Sequence, residues 1–187
     1  MKLRTLPDYL FPRPRLLIVG LNPGTYSAQV GHYYARKTNR FWPLLHRSGL
    51  VPIPLTCNDD AQLPVHGIAI TDLCKRVSGG VDALSLADFR RGATRIRRLL
   101  RELGPGVVVF NGLAGYRAAF HAKAKVGQQP SALEGVPTFV TASTSPRVAT
   151  WTLDQLLDGW IEVRRAVDAA ATSRTAPGRS PSGYRSP

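Results

Sequence analysis

Four stretches carry the polar groups with which this chain could do chemistry. Gly20-Leu21-Asn22-Pro23-Gly24 offers a carboxamide in a tight turn, and Asp72 offers a lone carboxylate after an apolar run. Asn111-Gly112 brings a second carboxamide. Ala142-Ser143-Thr144-Ser145-Pro146-Arg147 brings hydroxyls and a cation. Their spacing suggests neither a Ser–His–Asp triad nor paired histidine ligands for a metal. Amides and hydroxyls suit a neutral, planar, polar ligand. Lys and Arg number 25 against 12 Asp and Glu, a net charge of +13, which favours polyanions. A nucleobase carried on a nucleic acid meets both conditions.

The elements that must position these groups are legible as apolar patterns. Four runs read as strands: Arg15–Leu21, Gly67–Thr71, Gly106–Phe110 and Thr138–Thr141. They are continuous rather than alternating, which is the mark of a sheet covered on both faces. Helices are predicted over Asn39–Ser48, Asp88–Leu103, Leu113–His121 and Thr152–Ala170. The second stops at Gly104-Pro105, and the last opens on Thr-Leu-Asp-Gln, a capping box. Strand–helix alternation implies parallel strands with crossover helices. The expected fold is a three-layer α/β/α sandwich around a four-stranded, mainly parallel sheet. In such a sheet, ligands bind beyond the carboxyl ends of the strands, where all four polar stretches fall. The Asp88–Leu103 helix carries Arg90, Arg91, Arg95, Arg97, Arg98 and Arg101 on its other side, which reads as a solvated face.

The chain has 187 residues, 43% of them hydrophobic and 20% charged, as in an ordinary soluble domain. We expect one catalytic domain over positions 1–170 and a basic, disordered tail over 171–187. No apolar stretch approaches the ~18 residues of a membrane span. The N-terminus lacks the pattern of a signal peptide, so a cytoplasmic protein, nucleoid-associated in a bacterium, is expected. Cys57 and Cys74 then read as reduced thiols, and neither a zinc tetrad nor an iron–sulfur cluster is suggested. The Pro-rich segment 51–64 has no clear assignment.

An ordered series of matches resembles the mismatch-specific uracil-DNA glycosylase and thymine-DNA glycosylase family. It comprises Gly20-Leu21-Asn22-Pro23-Gly24, Ser27-Ala28, Gly31-His32-Tyr33-Tyr34-Ala35, Asn39-Arg40-Phe41-Trp42 and Ser48-Gly49-Leu50. Phe110-Asn111-Gly112 and Ser143-Thr144-Ser145-Pro146-Arg147 continue it, nearer the thymine branch. The resemblance runs from about Leu16 to Val167. It implies a DNA glycosylase that extrudes uracil, and also thymine or other damaged bases, from mismatches with guanine and hydrolyses the N-glycosidic bond. Two alternatives stay open: a broader deaminated-base glycosylase, or a module that binds nucleic acid without cleaving it.

Residue by residue, the resemblance implies that Asn22 holds the attacking water. A carboxamide orients water without deprotonating it, so departure of the base as an anion must carry the reaction. Backbone N–H groups around the Asn22–Gly24 turn, together with Tyr34, would stabilise that anion. Tyr34 would stack on the extruded base, with Leu21, Gly24 and Asn111 completing the base site. Arg147 matches the wedge that fills the hole left in the duplex. Ser143, Thr144 and Ser145 match phosphate-gripping residues, and Pro146 replaces the family's small residue and stiffens the loop. Arg40 serves a phosphate or the structure, and Asn111 braces the pocket or a phosphate. Tyr33 stands where the thymine branch tends to carry a second histidine beside His32. Asp72 departs from the asparagine or lysine of the family. Beside a basic surface it is expected to stay ionised and to share catalysis with Asn22 or accept a base N–H; a helix N-cap is its other reading. No lysine is placed as a Schiff-base nucleophile, so the enzyme would be monofunctional. The expected partner is double-stranded DNA with G·U or G·T mismatches, bound by a monomer without metal, cofactor or membrane.

Overall fold

The computed structural model describes residues 3–148 and 150–175. Its sheet has the order β2-β1-β3-β5-β4, with β1 Leu16–Gly20, β2 Ile68–Asp72, β3 Val107–Asn111, β4 Gly127–Gln128 and β5 Thr138–Thr141. The four expected strands are all parallel to their neighbours, and the added strand β4 is a two-residue antiparallel edge. β1, β2, β3 and β5 are buried along their whole length, as their continuous apolar runs require.

One face of the sheet packs on α2 (Phe41–Arg47) and α5 (Leu153–Thr175), through Phe41, Leu44, Leu45, Trp160 and Val163. The other packs on α3 (Leu86–Leu103) and α4 (Leu113–Ala119), through Phe89, Ile96, Leu100 and Tyr116. α3 begins two residues before the expected start because Ser85 and Asp88 form a reciprocal capping box. Thr152 and Gln155 cap α5 in the same way, as read from the sequence. α5 runs to Thr175, five residues beyond the expected domain end at position 170. Its last turns are held by local carbonyl bonds from Thr172 and Ser173. Positions 176–187 lie outside the described residues. No helix among the described residues is long and apolar enough to cross a membrane.

Besides β4, three elements among the described residues were missed. α1 (Thr25–Val30) buries none of its residues, so it carries no apolar period. The segment 51–64 holds most of a 3-10 stretch, Cys57–His66, opened by a Thr56–Asp59 capping box. A single 3-10 turn spans Val81–Ala83. The N-terminal segment also lies along the sheet edge, where Tyr9 exchanges backbone bonds with Ile70.

The arginine side of α3 is not simply solvated. Arg95 is mostly buried and bonds Asp8, Thr71 Oγ1 and the Asp72 carbonyl. Arg91 pairs with Asp88, Arg98 with Glu102, and Arg97 and Arg101 with Glu134.

α3 can approach β2 this closely only because position 92 lacks a side chain. A Cβ there would lie 2.5 Å from the Leu73 carbonyl oxygen. Alanine ordinarily stabilises a helix interior by about 1 kcal/mol over glycine. Here overpacking of ~1–3 kcal/mol opposes it. Gly92→Ala should therefore lower Tm by up to about 8 °C in a thermal melt; a raised Tm would show that the contact is not limiting.

Candidate active site

The parallel register aligns the carboxyl ends of the strands. Gly20 stands opposite Asp72, and Asn111 opposite Thr141. The loops that follow enclose a cleft of about 770 Å³, within the usual range for a ligand site. Asn22, Tyr34, Asp72, Asn111, Ser143 and Arg147 all line it, as do Leu21 and Gly24.

Asn22 is locked at its nitrogen. Nδ2 donates to Ser78 Oγ at 2.9 Å, with the Pro23 and Ser78 carbonyl oxygens at 3.0 and 3.2 Å and the Arg76 carbonyl oxygen at 3.4 Å. Ser78 is fixed in turn, its N–H donating to Pro23 O and its hydroxyl to Gly80 O. With the nitrogen committed, Oδ1 is the acceptor the amide retains for the cleft. Gly24, the N-cap of α1, bridges to Ser78, and Leu21 accepts the Cys74 N–H. Ser78 was not singled out from the sequence; a serine in a Gly-rich loop gives no signal until the loop is seen to fold onto Asn22.

Tyr34 has φ of +50°, in the left-handed region that a bulky side chain adopts at a cost of ~1–2 kcal/mol. Its neighbours hold it there. The Tyr33 N–H donates to Asp60 Oδ2 at 2.9 Å, the Ala35 N–H donates to Ser27 Oγ, and the Tyr34 ring stacks on Phe41 with centroids 4.0 Å apart. Asp60 is completely buried and also takes the Tyr9 hydroxyl and His32 Nδ1, both at 3.1 Å. Tyr33 turns into the core, where its hydroxyl donates to Pro7 O. The unassigned segment thus supplies, in Asp60, the anchor of the Tyr34 turn. Its sequence signal was the Thr56–Asp59 cap.

Asp72 ends β2, and no helix starts after it until Val81. The N-cap reading is therefore wrong. The carboxyl is buried, its Oδ2 has no hydrogen-bond partner among the described residues, and neither has the buried Tyr34 hydroxyl. A Cβ on Gly20 would stand 2.3 Å from Asp72 Oδ1 and 3.0 Å from the Tyr34 oxygen, so a glycine is what lets the two groups sit together. Burial raises the Asp72 pKa to about 7, with Lys75 and Arg95 opposing and Asp8 reinforcing the rise. This corrects the expectation of a fully ionised carboxylate: desolvation outweighs the basic surroundings. Burial, with Asp72 beside it, also pushes the Tyr34 phenol up, so it stays a proton donor.

Other assignments change. The Asn111 amide is spent on Thr144, donating to Oγ1 at 3.0 Å and accepting from the Thr144 N–H at 3.3 Å. These bonds tie Asn111 to the loop at the pocket wall, and one amide N–H remains outside the exchange. Thr144 is buried in that exchange and is not free to grip a phosphate. Arg40 is structural: its guanidinium donates to the carbonyls of Trp151, Ser145 and Val148, and so shapes the loop that carries Ser143 and Arg147. Ser143 and Ser145 are half-buried, while Arg147 is exposed on the rim and bonds Gly79 O across the cleft. No group of three or more His, Cys, Asp or Glu among the described residues could hold a metal ion.

A family model described as the Uracil DNA glycosylase superfamily matches residues 7–164. A G/U mismatch-specific uracil DNA glycosylase of Schizosaccharomyces pombe is 32% identical over 169 residues, covering 84% of this chain and 52% of the relative. The chain thus spans about half the length of that relative. A solution NMR structure from Methanosarcina acetivorans, assigned as a candidate uracil DNA glycosylase, superposes with a TM-score of 0.61 over 90% of this chain and 99% of its own, at 19% identity. That likeness concerns the fold.

The Asp72 shift has a measurable consequence. An acid whose pKa is raised in the folded state contributes stability that is fully present below its ordinary value of 3.8 and is lost as pH climbs through about 7. Asp72→Asn removes that dependence. Urea unfolding should show the variant gaining on the wild type between about pH 4 and pH 7, and a constant difference above. A difference that does not change with pH would mean that Asp72 ionises as an ordinary surface acid.

Proposed function

The chain belongs to the uracil DNA glycosylase superfamily, and from that membership we propose that it excises uracil, and thymine with it, from mismatches with guanine in double-stranded DNA, opening base excision repair. The order of roles follows the cleft. An extruded nucleotide places its base on the Tyr34 ring; base stacking of this kind contributes ~1–3 kcal/mol without demanding base identity. Asn22 Oδ1 holds a water against the sugar carbon. Because an amide is no base, bond breaking toward an oxocarbenium-like sugar and a base anion runs ahead of water attack. Backbone N–H groups of the Asn22–Gly24 turn and the Tyr34 hydroxyl stabilise the anion. Arg147, on the rim, fills the gap in the duplex, and Ser143 and Ser145 hold phosphate beside it. No lysine takes a Schiff-base role, so the product is an abasic site with an intact strand.

The observation that supports this reading best is the locked Asn22 amide, turned by Ser78 so that its oxygen is left for the cleft. Asp72 supports a second, broader reading. A neutral carboxyl offers an O–H donor and a carbonyl acceptor side by side, complementary to an imide edge with its C=O and N–H. Uracil, thymine, hypoxanthine and xanthine share that edge, so the base range would extend to deaminated purines. We extend the proposal to a single catalytic domain that includes the whole of α5, to Thr175, acting as a monomer in the cytoplasm or at a bacterial nucleoid. The net charge of +13 supports residence on a polyanion.

The test is a labelled duplex with one G·U pair, treated with the protein and then with hot alkali. Wild type should yield a cleaved strand, and Asn22→Ala should lose about 100-fold or more of the single-turnover rate, as expected for removal of a group that positions the reacting water. Salt-sensitive binding with no cleavage of any base would leave only a DNA-binding module. In a panel of lesion bases, Asp72→Asn with unchanged rates and preferences would remove the carboxyl from recognition and catalysis alike.

A further inference from the structure

The cations near the cleft are mostly committed. Arg40 holds loop carbonyls, Arg76 and Arg91 hold Asp88, Arg95 holds Asp8, and Arg147 holds Gly79 O. Arg36 differs. It lies on the rim of the cleft, exposed, and its guanidinium carbon sits 5.0 Å from the centroid of the Tyr26 ring, while its backbone carbonyl accepts the Asn39 N–H. The guanidinium itself forms no ion pair or hydrogen bond with the described residues. Tyr26 itself is 41% exposed, on a helix that buries none of its residues. A helix with nothing to bury serves the core poorly. It starts at the Asn22-Pro23-Gly24 turn and presents Tyr26 at the cleft mouth. Lys37, also exposed, adds a second charge next to Arg36.

From this arrangement we propose that Tyr26 and Arg36 form a phosphate-binding subsite on the cleft rim, taking a backbone phosphate of the damaged strand beside the extruded nucleotide. The ring fixes the guanidinium by its face and leaves the N–H fork free. An acidic partner would fix it equally well but would cancel the charge that a phosphate needs. The subsite lines the same cleft as Arg147 and the Ser143–Ser145 loop and adds a second cation to its rim. This inference rests on the glycosylase reading for its ligand but makes a separate demand, on binding rather than on bond cleavage.

The probe is a fluorescent duplex with one G·U pair whose uracil sugar carries a 2′-fluorine, so that it binds without being cut. Affinity is measured between 50 and 200 mM salt for wild type, Arg36→Ala, Tyr26→Ala and Tyr26→Phe. Neither side chain is buried, so the melting temperatures should stay level. Arg36→Ala should weaken binding about tenfold and reduce the slope of log K against log salt by about 1, the loss of one phosphate contact. Tyr26→Ala should weaken binding several-fold with a smaller change in slope, and Tyr26→Phe should bind like wild type. The saturated single-turnover rate on cleavable G·U duplex should stay within about twofold in every variant. Equal affinity and slope in Arg36→Ala and wild type would overturn the subsite, even with excision intact. Loss of the saturated rate with binding unchanged would overturn it too. If wild type binds but excises nothing, the glycosylase reading fails, while the slope comparison still decides the subsite.

Discussion

The parallel pairing of β1 between β2 and β3 decides where every polar group at the cleft stands. With Gly20 opposite Asp72, the turn bearing Asn22 and the buried carboxyl leave the sheet at one level. Register matters here in an unusual way. Both sheet faces are apolar, so a one-residue slip would not simply expose a greasy face to water. It would put a side chain where Asp72 Oδ1 now sits, since a Cβ at position 20 reaches within 2.3 Å of that oxygen. The Gly20–Asp72 contact and the Gly92 approach to Leu73 thus constrain the same carboxyl end of β2, one through the neighbouring strand and one through α3.

Unfavourable features gather at this level, and each has a support outside it. Tyr34 holds a left-handed backbone, Asp72 is a buried acid, and the Tyr34 hydroxyl and Asp72 Oδ2 lack partners among the described residues. Asp60 anchors the Tyr34 turn from the 3-10 stretch. Lys75 and Arg95, bound to Asp8 on the N-terminal segment, stand behind Asp72 and limit how far its pKa rises. Ser78 fixes Asn22, and Arg40 with Asn111 fixes the loop of Arg147. Strain that persists at a site in this way signals a geometry specified by what it must bind.

What the sequence disclosed follows from how much pattern each element must carry. Buried strands need unbroken apolar runs, and all four were readable, whereas β4 has two residues and no room for a period. α1 was invisible because it buries nothing. The 3-10 stretch was masked by Pro64 within it and by Pro52 and Pro54 just before it, although Thr56 and Asp59 marked its start. At the site, residue types at strand ends pointed to Asn22, Tyr34 and Asp72. The tasks of Arg40, Asn111 and Thr144 could not be read, because whether an arginine meets a phosphate or a carbonyl depends on a loop more than a hundred positions away, such as that around Trp151. The Asp72 charge state was misjudged for a related reason. The formal charges pointed to an ionised acid, but desolvation is set by packing, and packing is not local in the chain.

The same distinction separates two uses of charge. A net +13 acts at long range, gathering a polyanion wherever the charges lie. Contact specificity depends instead on cations that the fold has left unspent. Along α3, arginines are neutralised by Asp8, Asp88, Glu102 and Glu134, and they stiffen the helix layer more than they offer phosphate contacts. At the cleft, Arg40 is likewise absorbed by carbonyls. On the proposed function, a chain this basic would concentrate its direct strand contacts in few side chains, and those on the rim would carry more weight than their share of the total charge. Orientation over the cleft would come from those few, and the remainder of the charge would bring the duplex near.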